Sequence, residues 1–175
     1  NPRAARHADG PMAKEIGMRA TAYLLAFGLL LPFWGLALLA WLGPFGWVGP
    51  ALDALSAYAA VMLGFLGAIH WGVVLATTPA ERALLVGDAR HRLAWGALLV
   101  LAAWVAAMLP WAVLSLSLLF LLLVLSWQVD RRWLDSLPVG WSYQRLRRLF
   151  TLLAALALLT AIASWLWPMI PGVGA

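Results

Sequence analysis

The sequence predicts an all-α fold: a polytopic integral membrane bundle of five transmembrane helices, N-terminus cytoplasmic and C-terminus outside. Three observations predict it. The 175-residue chain is 65% hydrophobic and only 11% charged, with a mean hydropathy of +0.90, far outside the range of soluble domains. Long uncharged stretches alternate with short charged ones. When five crossings are drawn, all twelve Lys and Arg residues fall on one side, as cytoplasmic loops require.

The elements follow in order. Residues 1–19, NPRAARHADGPMAKEIGMR, read as a polar cytoplasmic tail. The membrane domain is expected over 20–170, with 171–175 as a short outer tail. Its first span covers 20–42, uncharged between Arg19 and Asp53; at about 23 residues it exceeds a signal h-region and is expected to remain as an anchor. Pro32, with Gly28 and Gly35 nearby, is expected to kink it. The second span covers 54–77, with Asp53 placed to cap it. Thr78-Pro79-Ala80-Glu81 combines a capping box with proline at the first helical position, predicting a short interfacial helix that Gly87 ends.

The next uncharged stretch, Leu93 to Val129, holds 37 residues. One helix of that length would run about 55 Å, against about 30 Å of hydrocarbon. Leu109-Pro110-Trp111 supplies the break, because proline lacks an amide hydrogen and restricts the residue before it. A tight hairpin results, with spans at 93–109 and 111–128. The segment from Val129 to Arg148 carries Trp133, Trp141 and Tyr143 among five arginines and reads as an interfacial loop. The last span covers 146–167, ended by Pro168 and Pro171.

Charge placement supports the count. The cytoplasmic side receives Arg3, Arg6, Lys14 and Arg19; then Arg82, Arg90 and Arg92; then Arg131, Arg132, Arg145, Arg147 and Arg148. Merging the hairpin into one helix would put Arg90 and Arg92 opposite Arg131 and Arg132. The +5 net charge is therefore explained by topology and anionic headgroups, and nucleic acid is not expected as a partner. Eleven of the twelve basic residues are Arg in a chain rich in Ala, Leu and Trp, which resembles a GC-rich coding bias and favours a bacterial inner (cytoplasmic) membrane. The absence of cysteine excludes disulfides, thiolate metal sites and a Cys nucleophile.

Polar residues within the spans are few. Ser56, Ala60, Gly64, Ala68, Gly72 and Ala76 follow one another at four-residue spacing, a small-residue ridge that admits close approach of another helix, within the bundle or from another protein. His70 lies about 200° around the helix from Ala68 and Gly72. An imidazole in a span normally meets protein or water rather than acyl chains. It is read either as a structural hydrogen-bonding residue or as a contact to a haem or pigment, a quinone carbonyl or a proton. His70, Trp71, Gln128 and Tyr143 are the candidate lining of a quinone- or lipid-binding site at the cytoplasmic rim, with Asp130 and His91 nearby; a hydrogen-bonded rim without ligand is the alternative. No buried carboxylate pair, metal-ligand spacing or nucleophile elbow is present, so no catalytic residue, metal or resident cofactor is expected. The twelve tryptophans map mostly to two belts, while Trp34 and Trp104 lie deeper and are expected to pack inside the bundle or against a partner.

The run from Tyr58 to Gly72, YAAVMLGFLGAIHWG, and the stretches Gln128-Val-Asp130-Arg131-Arg132 and Trp141-Ser-Tyr143-Gln-Arg145-Leu-Arg147 resemble an uncharacterised family of small bacterial and mitochondrial membrane proteins that includes transmembrane protein 69. The resemblance covers about residues 20–163. It implies a membrane location and supplies no catalytic residues, because the family is a domain of unknown function. The expected function is that of a non-enzymatic accessory or assembly subunit of a larger respiratory or photosynthetic complex, with the lipid bilayer and other membrane-protein subunits as partners. The alternative is a small quinone- or lipid-binding protein.

Overall fold

Apolar stretches of this length have no water to satisfy their backbone polar groups, so they must form helices, and they do. The computed structural model describes residues 11–80, 88–134 and 141–167. Among these residues there are five long helices and no strand: α1 (Pro11–Leu42), α2 (Val48–Ala76), α3 (Ala89–Ala107), α4 (Ala112–Leu134) and α5 (Trp141–Leu166). A short 3-10 turn, Phe45–Trp47, leads into α2. Four of the five, all but α3, are long and apolar enough to cross a membrane, and the chain is a multi-pass membrane protein.

The helices form a closed ring in chain order. Each packs on the next, α5 closes back on α1, and α2 reaches across to α4. Paired contacts give the directions. Gly67 meets Gly96 and Trp71 Nε1 donates to Leu93 O at 3.0 Å, so α2 and α3 are antiparallel. Phe33 lies edge-on to Phe150, 6.3 Å between centroids, and Trp41 Nε1 donates to Thr160 O at 2.7 Å, so α1 and α5 are parallel. The core between them is leucine and alanine: Leu52, Leu55, Leu116, Leu119 and Leu158 against Ala37, Ala103, Ala154 and Ala161, all buried. Alanine at the crossings lets the backbones approach.

Several expected boundaries move, each for a local reason. Helix α1 is described from Pro11 onward, so the second half of the expected tail is helical. It runs on through Pro32. Helix α2 begins at Val48, with Trp47 in the cap position and no side-chain cap bond. Asp53 is therefore an exposed residue inside the helix and not the cap, because Pro50 already sits in the first turn, where its missing amide hydrogen costs nothing. Asp88 caps α3, accepting from Arg90 N at 3.1 Å. That helix stops at Ala107, two residues short of the expected 109, which leaves only residues 93–107 as its apolar part. The expected loop at 129–148 is largely helix: α4 continues to Leu134 and α5 starts at Trp141, and 135–140 lie outside the described residues. Of the predicted interfacial helix, 79–80 are helical, and 81–87 lie outside the described residues, as do 1–10 and 168–175.

The small-residue ridge of α2 is covered along only part of its length. Ser56 is buried, Ala60 and Gly64 are half-buried, and Ala68, Gly72 and Ala76 are exposed. Helix geometry explains this: each four-residue step advances about 400°, so the row winds about 200° from end to end of a straight helix. The tightest α2–α3 approach instead uses Gly67 and Gly96. A Cβ on Gly67 would lie 2.8 Å from Gly96 O, and one on Gly96 would lie 2.6 Å from Gly67 O. Trp104 is exposed on α3, and Trp34 packs against the core.

The turn of α1 that holds Pro32 has an external partner. Tyr58 Oη donates to Leu29 O at 2.8 Å, and the Tyr58 ring stands edge-on to Phe33 at 5.2 Å. Tyr58→Phe removes the hydroxyl and keeps the ring, so a loss of about 1 kcal/mol is expected, read as a small drop in the thermal midpoint in detergent. An unchanged midpoint would show that Leu29 O needs no such donor.

Candidate functional site

At the end of the bundle where α2 and α4 finish and α3 and α5 begin, polar side chains gather inside the ring. The grouping follows from helix spacing. Ser126 and Asp130 share a face of α4, and Tyr143, Arg147 and Thr151 share a face of α5, because residues four apart stack on one side. On α2, His70 stands on the face opposite the exposed Ala68 and Gly72, as its angular position predicts.

These faces meet in a buried clasp. His70 Nε2 lies 2.9 Å from Asp130 Oδ1, and Arg147 Nε donates to Asp130 Oδ2 at 2.7 Å. The side chains of His70, Asp130 and Arg147 are exposed by 0%, 3% and 3%, so this is an interior ion pair with an imidazole attached. A carboxylate oxygen only accepts, so His70 Nε2 carries the hydrogen of that bond. The remaining Arg147 nitrogens donate to Thr151 Oγ1 and to Ser126 Oγ, the latter at 2.9 Å. Burial of such charges is tolerable only with this degree of pairing. The clasp joins α2, α4 and α5.

A second arginine flanks it. Arg92 of α3 is fully buried; its Nη2 donates to Trp133 O at 2.7 Å, and its guanidinium sits 5.4 Å from the centroid of the Trp133 ring. The same ring meets His70 edge-on at 5.6 Å. Trp133 thus lies between His70 and Arg92 and ties α3 to the clasp. Beside Asp130 and Arg147 stands Tyr143, whose Oη is buried without a hydrogen-bond partner, as is Nδ1 of His70.

Of the four expected lining residues, the structure brings His70 and Tyr143 to one cluster and leaves the other two outside it. Trp71, one position and about 100° further round α2, turns towards α3. Gln128 is exposed on α4. His70 itself is enclosed by helices rather than open to a rim. His91 is exposed, 3.9 Å from Asp88. The residues at the centre of the cluster that the candidate lining lacks are Arg147 and Asp130, with Arg92 behind them. Among the described residues no group of three or more His, Asp or Glu is placed to hold a metal ion.

Of the clefts that the described residues form on the outer surface of the ring, two adjoin residues named above. One, of about 450 Å³, lies between α1, α2 and α5 and has Arg147 and Tyr143 in its lining. The other, of about 730 Å³, lies over the α2–α3 crossing, where Gly67 and Gly96 leave a shallow apolar trough flanked by Ala68, Trp71, Ala97 and Leu101.

Residues 18–163 match a family described as a protein of unknown function, DUF3429; the match includes the Tyr58–Gly72 run and the stretches around Asp130 and Arg147. No curated protein and no solved structure matches the chain.

Proposed function

The chain belongs to the DUF3429 family, and from that premise we propose that it is a five-span, non-enzymatic subunit that docks against other membrane proteins through the α2–α3 face. The observation that carries this is the trough over the Gly67–Gly96 crossing. A closely crossed helix pair whose outer side carries the exposed Ala68, Gly72 and Ala76, the half-buried Ala97 and the exposed Trp71 offers a further helix both backbone proximity and an aromatic flank. The clasp fits a structural role, since both oxygens of Asp130 are taken by His70 and Arg147. A bacterial inner membrane, with the N-terminus cytoplasmic and the C-terminus outside, completes this reading, and a respiratory or photosynthetic assembly is the host that the apolar, aromatic-rich composition suits.

Five crossings are supported by the ring. Helix α3 packs antiparallel along α2, so Arg90 and Arg92 come to the same end as Arg131, Arg132, Arg145, Arg147 and Arg148, while residues 108–111 lie at the other. The short apolar part of α3 fits because Arg92 is sheltered inside the bundle instead of ending the span at the headgroups. The cysteine-free sequence makes the test direct. Single cysteines at Gly46 and Pro110 are expected to react with an impermeant maleimide from one side of sealed vesicles, and cysteines at Thr78 and Arg131 from the other. Labelling of positions 78 and 110 from the same side would remove α3 as a span.

Docking is tested by Ala97→Trp, which fills the trough, against Leu156→Trp on the exposed face of α5 as a control. Purification in mild detergent is expected to yield a larger assembly with the native chain and with L156W, and the isolated chain with A97W at an unchanged thermal midpoint. Isolated chain in all three cases would overturn the reading.

A further inference from the structure

At the end of the bundle that holds the clasp, two arginines turn outward with their charges unmet, and they carry an inference independent of docking. The Asp130–Arg147 contact at 2.7 Å fixes the register of α4 against α5. Arg131 and Arg148 each follow that pair by one residue, a step of about 100° round a helix. Because the end of α4 meets the start of α5, the two helices run antiparallel, and equal steps along them turn to the same side of the seam. That side is the outer one, since Arg131 and Arg148 are exposed while Asp130 and Arg147 are buried. Arg131 lies over the ring of Trp127, one turn back on α4, at 5.7 Å from its centroid. This cation–π contact occupies one face of the guanidinium and leaves its N–H edge available. The carboxylates described at this end are engaged elsewhere: Asp130 is buried on His70 and Arg147, and Asp88 lies on α3, 3.9 Å from His91. Among the described residues no carboxylate pairs with Arg131 or Arg148.

We propose that the outer mouth of the α4–α5 seam binds the headgroup of an anionic phospholipid, whose phosphate accepts hydrogen bonds from Arg131 and Arg148. The planar guanidinium fork matches phosphate oxygens in pairs, and basic sites between transmembrane helices are where anionic headgroups settle. The occupant is a lipid rather than free phosphate because the surface continues as hydrocarbon. Both arginines lie near the charged ends of Ala112–Trp133 and Tyr143–Leu166, segments long and apolar enough to cross a membrane. Leu152, one turn on from Arg148, is exposed, and Val124, one turn back from Trp127, is half-buried, so acyl chains leaving the phosphate run along α4 and α5. Net negative charge is part of the selection, since a zwitterionic headgroup brings its own cation against the two arginines. Arg132, about 100° further round α4, and Arg90 on α3 are also exposed but stand off the seam. They share the charge of this membrane face without belonging to the site.

The test uses the full chain in dodecyl maltoside, which is uncharged and has no phosphate, and follows thermal stabilisation as each probe is titrated, since a ligand that binds only the folded state raises the midpoint by mass action. The probes are dioleoylphosphatidylglycerol, dioleoylphosphatidylcholine and inorganic phosphate. Saturable stabilisation by phosphatidylglycerol is expected at concentrations where phosphatidylcholine and inorganic phosphate have little effect. The double variant R131Q/R148Q is expected to weaken that binding about 30-fold with little change in the unliganded midpoint, because both side chains are exposed. R90Q/R132Q removes the same two charges from other faces of this end and is expected to weaken it less than about 3-fold. Equal weakening in the two double variants would make the attraction a diffuse property of the face and overturn the site. Phosphatidylcholine binding as tightly as phosphatidylglycerol, inorganic phosphate reproducing the full stabilisation, or no saturable binding of phosphatidylglycerol by the native chain would each overturn it as well.

Discussion

Asp130→Asn is expected to be among the most damaging single substitutions in the chain. It keeps the shape of the side chain and removes its charge, leaving the Arg147 guanidinium buried without a counterion. Breaking a buried pair from one side typically costs about 3–5 kcal/mol, because the partner's desolvation is no longer offset. Arg147→Met should cost a similar amount from the other side, stranding the Asp130 carboxylate beside His70. The amide that replaces the carboxylate in D130N would still offer a carbonyl oxygen to one neighbour but not two charge-assisted bonds. The expected result is a low yield of monodisperse protein and a thermal midpoint lowered by many degrees for either single variant. The double variant D130N/R147M should be markedly less unstable than the sum of the two, since no lone charge remains. Equal loss in the double variant, or a D130N midpoint within about 2 °C of the native one, would mean that the clasp does not hold α4 to α5.

The positions of these residues were partly legible in the sequence. Hydropathy and charge located the helices because lipid imposes both the apolar length and the side on which arginine collects. The same reasoning treated every arginine as a rim charge, and there it fell short. Arg145 and Arg148 are exposed, while Arg147 between them is buried. The signal that separates them is polar periodicity: Tyr143, Arg147 and Thr151 fall on one face, matched by Ser126 and Asp130 across the interface, and exposed positions need no such pairing. That pattern was hidden because residues 129–148 read as loop, where helical spacing has no meaning. His70 was recognisable as a buried contact, since an imidazole within a span needs a partner, but sequence spacing does not say which of several distant polar residues supplies it. The α2 ridge was a true small-residue row. Its winding around a straight helix made it two surfaces, one packed and one exposed.

Gly96→Leu is expected to be comparably severe for a purely steric reason. Helices α2 and α3 touch backbone to backbone at Gly67 and Gly96, and even a Cβ at Gly96 would come within 2.6 Å of Gly67 O and 2.7 Å of Trp71 Cδ1. The Trp71 ring offers little relief, because its Nε1 is bonded to Leu93 O at 3.0 Å; moving the ring breaks that bond. The carbonyl belongs to a helix that also contacts α1 and α4, so α2 cannot withdraw alone. The remaining response is for α3 to move outward, which lifts Leu99 and Ala103 from the core and draws Arg92 away from Trp133. Overpacking of this kind costs about 1–3 kcal/mol where side chains can shift, and the backbone contact places Gly96→Leu at or beyond the upper end. Gly96→Ala should show the same defect at reduced size, whereas Gly72→Ala, with open space around its Cβ position, should leave the midpoint unchanged. Thermal unfolding of the three variants in one detergent gives the ordering. If G96L unfolds with the native midpoint, the α2–α3 crossing is looser than the glycine pair requires, and the trough above it loses its geometric basis.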